Sequence, residues 1–107
     1  MSTNFNTVLV SLAFNQAVNF IAHGGIYSIT RAQIKFLILC ACFDRIERKH
    51  LMQHLPDGNL YRYLVTLRRG GMLYCPKWGH YAFTDQGRRL VAEFWDEYHK
   101  RVKNFRW

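Results

Sequence analysis

One hundred and seven residues, half of them hydrophobic and 16% aromatic, exclude a disordered chain and suit one domain with one core. The same length disfavours a two-domain enzyme with its own cofactor domain. Fifteen Lys and Arg against seven Asp and Glu leave a formal charge of +8, which favours a polyanionic partner, most simply nucleic acid, beside the plain alternative of a solubilising surface.

Residues 1–30 contain no Asp, Glu, Lys or Arg. Within them Asn6 to Ala22 predicts a helix, stopped by His23-Gly24-Gly25. The apolar part, residues 7–22, falls short of the ~20 residues that span a bilayer and is interrupted by Asn15, Gln16 and Asn19, so it reads as a soluble helix. Over Val8–Phe14 it is apolar around most of its circumference, and such a helix needs covering on more than one side. A second subunit is the expected cover, with Val8, Leu9 and Leu12 in the dimer interface. Residues 1–6 lack the basic start of a secretory signal. A cytoplasmic location is therefore expected, with Cys40, Cys42 and Cys75 as reduced core thiols.

Thr30 followed by Gln33 forms a capping box and opens a second helix, which buries Ala32, Phe36, Leu37, Leu39, Cys40 and Phe43. A short third helix is expected from Arg48 to Leu55, ended by the tight turn Pro56-Asp57-Gly58. A fourth runs from Asn59 to Arg69 and stops at Gly70-Gly71. Met72–Cys75 and His80–Phe83 then flank Pro76-Lys77-Trp78-Gly79 as a β-hairpin. Thr84 caps the last helix, Asp85 to Asn104, and Asp85 suits its positive start. The expected fold is mainly α with a small β-hairpin: a winged helix-turn-helix over residues 45–89 with additional N- and C-terminal helices, all in one domain, 1–107.

The positive charge is concentrated in that middle segment. Residues 45–89 hold nine Lys and Arg against three Asp and Glu. On the fourth helix Leu60, Tyr63, Leu64 and Leu67 follow the spacing of a buried stripe. Asn59, Tyr61, Arg62, Val65, Thr66, Arg68 and Arg69 are left on the outside. Arg pairs with guanine and Asn with adenine in the major groove, and the methyls of Val65 or Thr66 suit thymine. This outer face is therefore the candidate DNA-reading surface, and an ordinary solvated basic face is the alternative. Lys77, Trp78 and His80 form the hairpin tip, where a basic group approaches phosphates or the minor groove. Trp78 is expected to fold back onto the hairpin base, the commoner fate of a large aromatic, with insertion between bases as the alternative. Arg45, Arg48 and Lys49 lie at the entry to the third helix, the one that crosses the DNA backbone in a helix-turn-helix, and are candidate phosphate contacts. Arg88 and Arg89 are weaker ones.

Two motifs carry a family resemblance. Leu67-Arg68-Arg69-Gly70-Gly71-Met72-Leu73 is similar to the leucine, three residues, glycine and two apolar residues of MarR/PadR-type transcriptional regulators. Phe83-Thr84-Asp85-Gln86-Gly87 resembles the apolar-threonine-x-x-glycine that follows their wing. The resemblance covers residues 45–91, and the outer helices match only in layout. It implies a winged-helix transcription regulator with Asn59, Tyr61, Arg62 and Thr66 facing DNA. The wing departs from the family, because the turn is only Pro-Lys-Trp-Gly and lacks the aspartate-x-arginine pair of MarR proteins.

On the last helix Val91, Trp95, Tyr98, Val102 and Phe105 form a heptad-like seam. It suits packing against the chain's own first helix, dimerisation, or both. Residues 1–30 and 90–107 are thus the expected dimerisation helices. A two-fold dimer sets two recognition helices roughly 34 Å apart, matching half-sites one DNA turn apart.

A protein-interaction module on a winged-helix scaffold is the alternative function. It is favoured if Tyr61, Tyr63, Tyr74, Trp78 and Tyr81 form an exposed patch with the arginines turned elsewhere. An enzyme is not expected. His23, His50, His54, His80 and His99 are scattered over separate elements, and no nucleophile, base and orienting group converge. His50 and His54 have metal-pair spacing but no catalytic glutamate between them, and a solvated helix face explains them better. No metal or cofactor is expected.

Overall fold

The computed structural model describes residues 5–24, 27, 29–43, 46, 47, 49, 51, 53 and 59–104. In chain order these form helix α1 (Phe5–His23), helix α2 (Arg31–Ala41), strand β1 (Ile46–Glu47), helix α3 (Asn59–Arg69), strands β2 (Leu73–Lys77) and β3 (His80–Phe83), and helix α4 (Asp85–Asn104). The molecule is mainly helical with a small antiparallel sheet of three strands in the order β1-β3-β2. Within the expected third helix, Lys49 and Leu51 are helical and Gln53 lies in a turn. The rest of that helix, the Pro56-Asp57-Gly58 turn, and Arg45, Arg48, His50 and His54 lie outside the described residues.

The capping box at α2 forms as its residue types require. Thr30 Oγ1 accepts from Gln33 N at 3.2 Å, and Gln33 Oε1 accepts from Thr30 N at 2.8 Å. Two otherwise orphaned donors at the helix start are thereby satisfied. The buried side of α2 differs from the expectation. Ile34 and Ile38 are buried with Phe36, Leu37 and Cys40, whereas Ala32 is exposed and Leu39 and Phe43 are half-buried. The reason is geometric: α1, α3 and α4 all pack on α2, so it buries two adjoining rows of side chains.

Helices α1 and α4 share the largest interface in the fold. Phe14 meets Phe94 edge-on with ring centroids 5.0 Å apart. The buried Tyr27 hydroxyl donates to Glu93 Oε1 at 3.1 Å. Burial, and then the adjacent Glu93 carboxylate, raise the Tyr27 phenol above its ordinary value.

The sheet corrects the hairpin expectation in two ways. A third strand, β1, pairs Ile46 with Tyr81 and Glu47 with His80. Two residues carry no detectable alternation, so no periodic signal announces it. The turn is also tighter: Lys77 pairs with His80, and only Trp78 and Gly79 lie between them. The register slips by one residue between Tyr74 and Lys77. Pro76, which has no N–H to give, sits in that irregular stretch of an edge strand.

Candidate nucleic-acid interface

Three of the four predicted stripe residues of α3, Leu60, Leu64 and Leu67, are buried. The fourth, Tyr63, is half-buried and stacks on Phe36 at 5.2 Å. This fixes which side of α3 is left over. Its C-terminus is closed by paired bonds: Met72 N donates to Leu67 O at 2.9 Å and Gly71 N to Arg68 O at 3.2 Å. Gly71 adopts φ +80°, the left-handed conformation that this closure needs and that L side chains rarely adopt. The chain then enters β2 directly.

The start of α4 is tied to the same corner. Thr84 N donates to Met72 O at 3.1 Å, and Gly87 N donates to Thr84 Oγ1 at 3.1 Å. The Thr84 hydroxyl itself donates to the Gly71 carbonyl. Both motifs behind the family resemblance therefore meet at one joint between α3, β2 and α4.

With the stripe anchored, α3 turns Tyr61, Arg62, Arg68 and Arg69 to solvent. Tyr61 is 60% exposed. The helix contains no carboxylate. Among the described residues no carboxylate lies within ion-pair distance of Arg62, Arg68 or Arg69. Val65 and Thr66 are half-buried rather than fully outside. The Thr66 hydroxyl donates to Arg62 O at 2.7 Å, which leaves its methyl and its acceptor lone pairs for other contacts. Arg62, Tyr63 and Thr66 also line a shallow recess of about 340 Å³ with Thr30, Ala32 and Gln33 at the start of α2. Asn59 begins the helix, and its side chain lies outside the described set.

The hairpin tip differs from the expectation. Trp78 does not fold back; it is 86% exposed. A two-residue turn gives its ring no strand surface to return to. Lys77 is exposed beside it. His80 is half-buried, with Nδ1 3.7 Å from Oε1 of its strand partner Glu47. Lys49 is exposed, with Nζ 4.0 Å from the other oxygen of Glu47. Glu47, only 9% exposed, is the residue that sequence reasoning missed. Its burial follows from pairing with β3, which nothing in the local sequence announces. Arg88 is tied to the start of its own helix, donating to Phe83 O at 3.1 Å and to the Asp85 carboxylate. Arg89 is exposed.

The expected dimer residues divide. Val8 and Leu12 are 47% and 44% exposed, and Leu9 is half-buried. Val91, Trp95 and Tyr98 are half-buried against the chain's own core, so much of that seam is already occupied. Val102 is half-buried, and Phe105 lies outside the described residues. The thiols also divide. Cys40 is buried as expected, and burial pushes its pKa up to about 12. Cys42 is exposed at the C-cap of α2, and Cys75 is only half-buried in the irregular strand β2, so neither is a core thiol.

Among the described residues no group of three or more His, Cys, Asp or Glu is placed to hold a metal ion. No described helix is long and apolar enough to cross a membrane. Comparison of the chain with family models, with curated proteins and with solved structures returns no match.

Proposed function

We propose that the chain is a winged-helix regulator of transcription that binds double-stranded DNA in a sequence-specific manner, as a cytoplasmic homodimer and as a repressor. The observation that carries this reading is α3. Its apolar stripe is committed to the core, and its other side presents Tyr61, Arg62, Arg68 and Arg69 with no carboxylate among them. Such a mixture of cations and hydrogen-bonding groups suits base edges and phosphates together. The sheet order supports the reading as well, since a short strand ahead of α3 in the chain joins a hairpin directly behind it. The protein-interaction alternative needs the arginines turned away from the aromatics, whereas Arg62 stands exposed next to Tyr61.

Self-association is best served by α1. Residues 1–30 carry no charged side chain. Two copies of a +8 chain meet there without opposing cations. Val8 and Leu12, one turn apart, supply exposed apolar surface on that helix.

A mobility-shift titration at rising salt tests the proposal. Each phosphate contact steepens the logarithmic salt dependence by about 0.9. Arg62→Ala and Lys49→Ala are each expected to weaken binding, and the lysine change to flatten the slope by about one contact. If neither weakens binding to any duplex, α3 is not the reading helix.

A further inference from the structure

Trp78 is the most exposed large hydrophobic side chain among the described residues, at 86%. Its ring stacks on no other described ring. A large aromatic forgoes a sizeable gain by standing in water, so that gain is available to a binding partner. The surroundings say what kind of partner. Lys77 precedes it in the chain and is exposed. Lys49 reaches the same end of the sheet through Glu47, whose strand partner His80 is itself paired with Lys77. Glu47 is nearly buried and has Lys49 and His80 against its two oxygens. An incoming surface therefore meets an indole flanked by cations, which suits a polyanion with flat apolar faces inside it.

Reach narrows the choice further. The strand β1 pairs with the very residues of β3 that adjoin the turn, and within the hairpin only Trp78 and Gly79 lie beyond the paired residues. A backbone projection this short stops at the phosphates, while the minor groove of B-DNA is about 6 Å wide and about 7.5 Å deep. The exposed Trp78 ring extends beyond that backbone and is flat enough to enter between base pairs.

We propose that Trp78 inserts from the minor groove between adjacent base pairs, with Lys77 on the flanking phosphate. The duplex is kinked at that step, and the preferred step is a flexible pyrimidine–purine one, TA or CA/TG. This rests on the DNA-binding reading of α3 and adds a second, shape-dependent source of specificity to it.

The test uses the full chain and a duplex of about 30 base pairs recovered by the wild type from a random library. End-to-end energy transfer reports the bend, and tryptophan emission reports stacking. Wild type is expected to bend the duplex and to lose emission on binding. Trp78→Ala is expected to bind at least about tenfold more weakly, without the bend and without that loss of emission, while Trp78→Phe keeps part of the bend. Because the ring is exposed, both variants should melt as wild type does. Equal binding and bending by Trp78→Ala overturns insertion and leaves the role of α3 standing. Weaker binding by a variant of a chain that never bends DNA also overturns it. A change in the mass of the free chain with DNA binding intact makes Trp78 a contact between copies and overturns insertion. Recovery of no duplex at all overturns both readings.

Discussion

Gly87 has no room for a side chain: a Cβ there would lie 2.2 Å from the Met72 carbonyl oxygen and 3.3 Å from the Phe83 ring. The obstructing atom is backbone, held by the bond from Thr84 N, so it does not swing aside. In an exposed helix Gly→Ala gains up to about 1 kcal/mol. Here the clash reverses the sign. Gly87→Ala should cost about 1–3 kcal/mol, read as a fall of several degrees or more in the thermal midpoint. The motif made this position visible in the sequence, because the fifth residue of an apolar-Thr-x-x-Gly run is a glycine for a packing reason. The cysteines were not visible in that way. Cys40 and Cys42 look alike in sequence, and only the end of α2 between them separates a buried thiol from an exposed one. Alkylation of the native chain at mildly alkaline pH should label Cys42 and spare Cys40, with a mass shift at Cys40 only after unfolding. Burial raises the Cys40 thiol from 9.0 to about 12. Its contribution to stability is therefore complete below about pH 9 and is lost as pH rises from there, because the unfolded thiol ionises first.

Among the elements, those with strong local signals were legible. Helix α3 spans Asn59–Arg69 and α4 spans Asp85–Asn104, the ranges that stripe spacing, capping residues and glycine stops predict. At α2 the capping box is present with both bonds. Thr30→Ala removes one of them and should cost about 1 kcal/mol in stability without touching α3. Elements fixed by distant partners were not legible: β1 exists because β3 lies beside it, and the exposure of Trp78 depends on how few residues remain for the turn. The two sides of α3 give opposite predictions. Leu64 is fully buried, so Leu64→Ala should cost about 2–5 kcal/mol. Arg62 is exposed, so Arg62→Ala should leave the melting temperature unchanged while weakening binding to duplex DNA.

At the scale of the whole molecule the chain is extended, with a radius of gyration of 14.9 Å and extents of 48 × 35 × 21 Å. A compact chain of this length is expected near 13 Å. The excess fits an α1–α4 pair covered on one side by the rest of the chain and left open along Val8 and Leu12. Sedimentation should give a dimer, and Val8→Asp with Leu12→Asp should give a folded monomer that binds single half-sites weakly. The charge distribution runs the same way: an uncharged first thirty residues at one extreme and a basic middle segment at the other. In the proposed DNA-binding dimer, that separation assigns one surface to joining copies and another to the polyanion.

The most direct test of the open, cationic side of α3 is a selection of bound sequences from random duplexes, run in parallel with wild type and Arg62→Ala. Wild type should enrich two related half-sites about one turn apart, and the variant should lose preference at one base position in each, with the others kept. Identical preferences for the two proteins, or enrichment of no sequence by wild type, would contradict it.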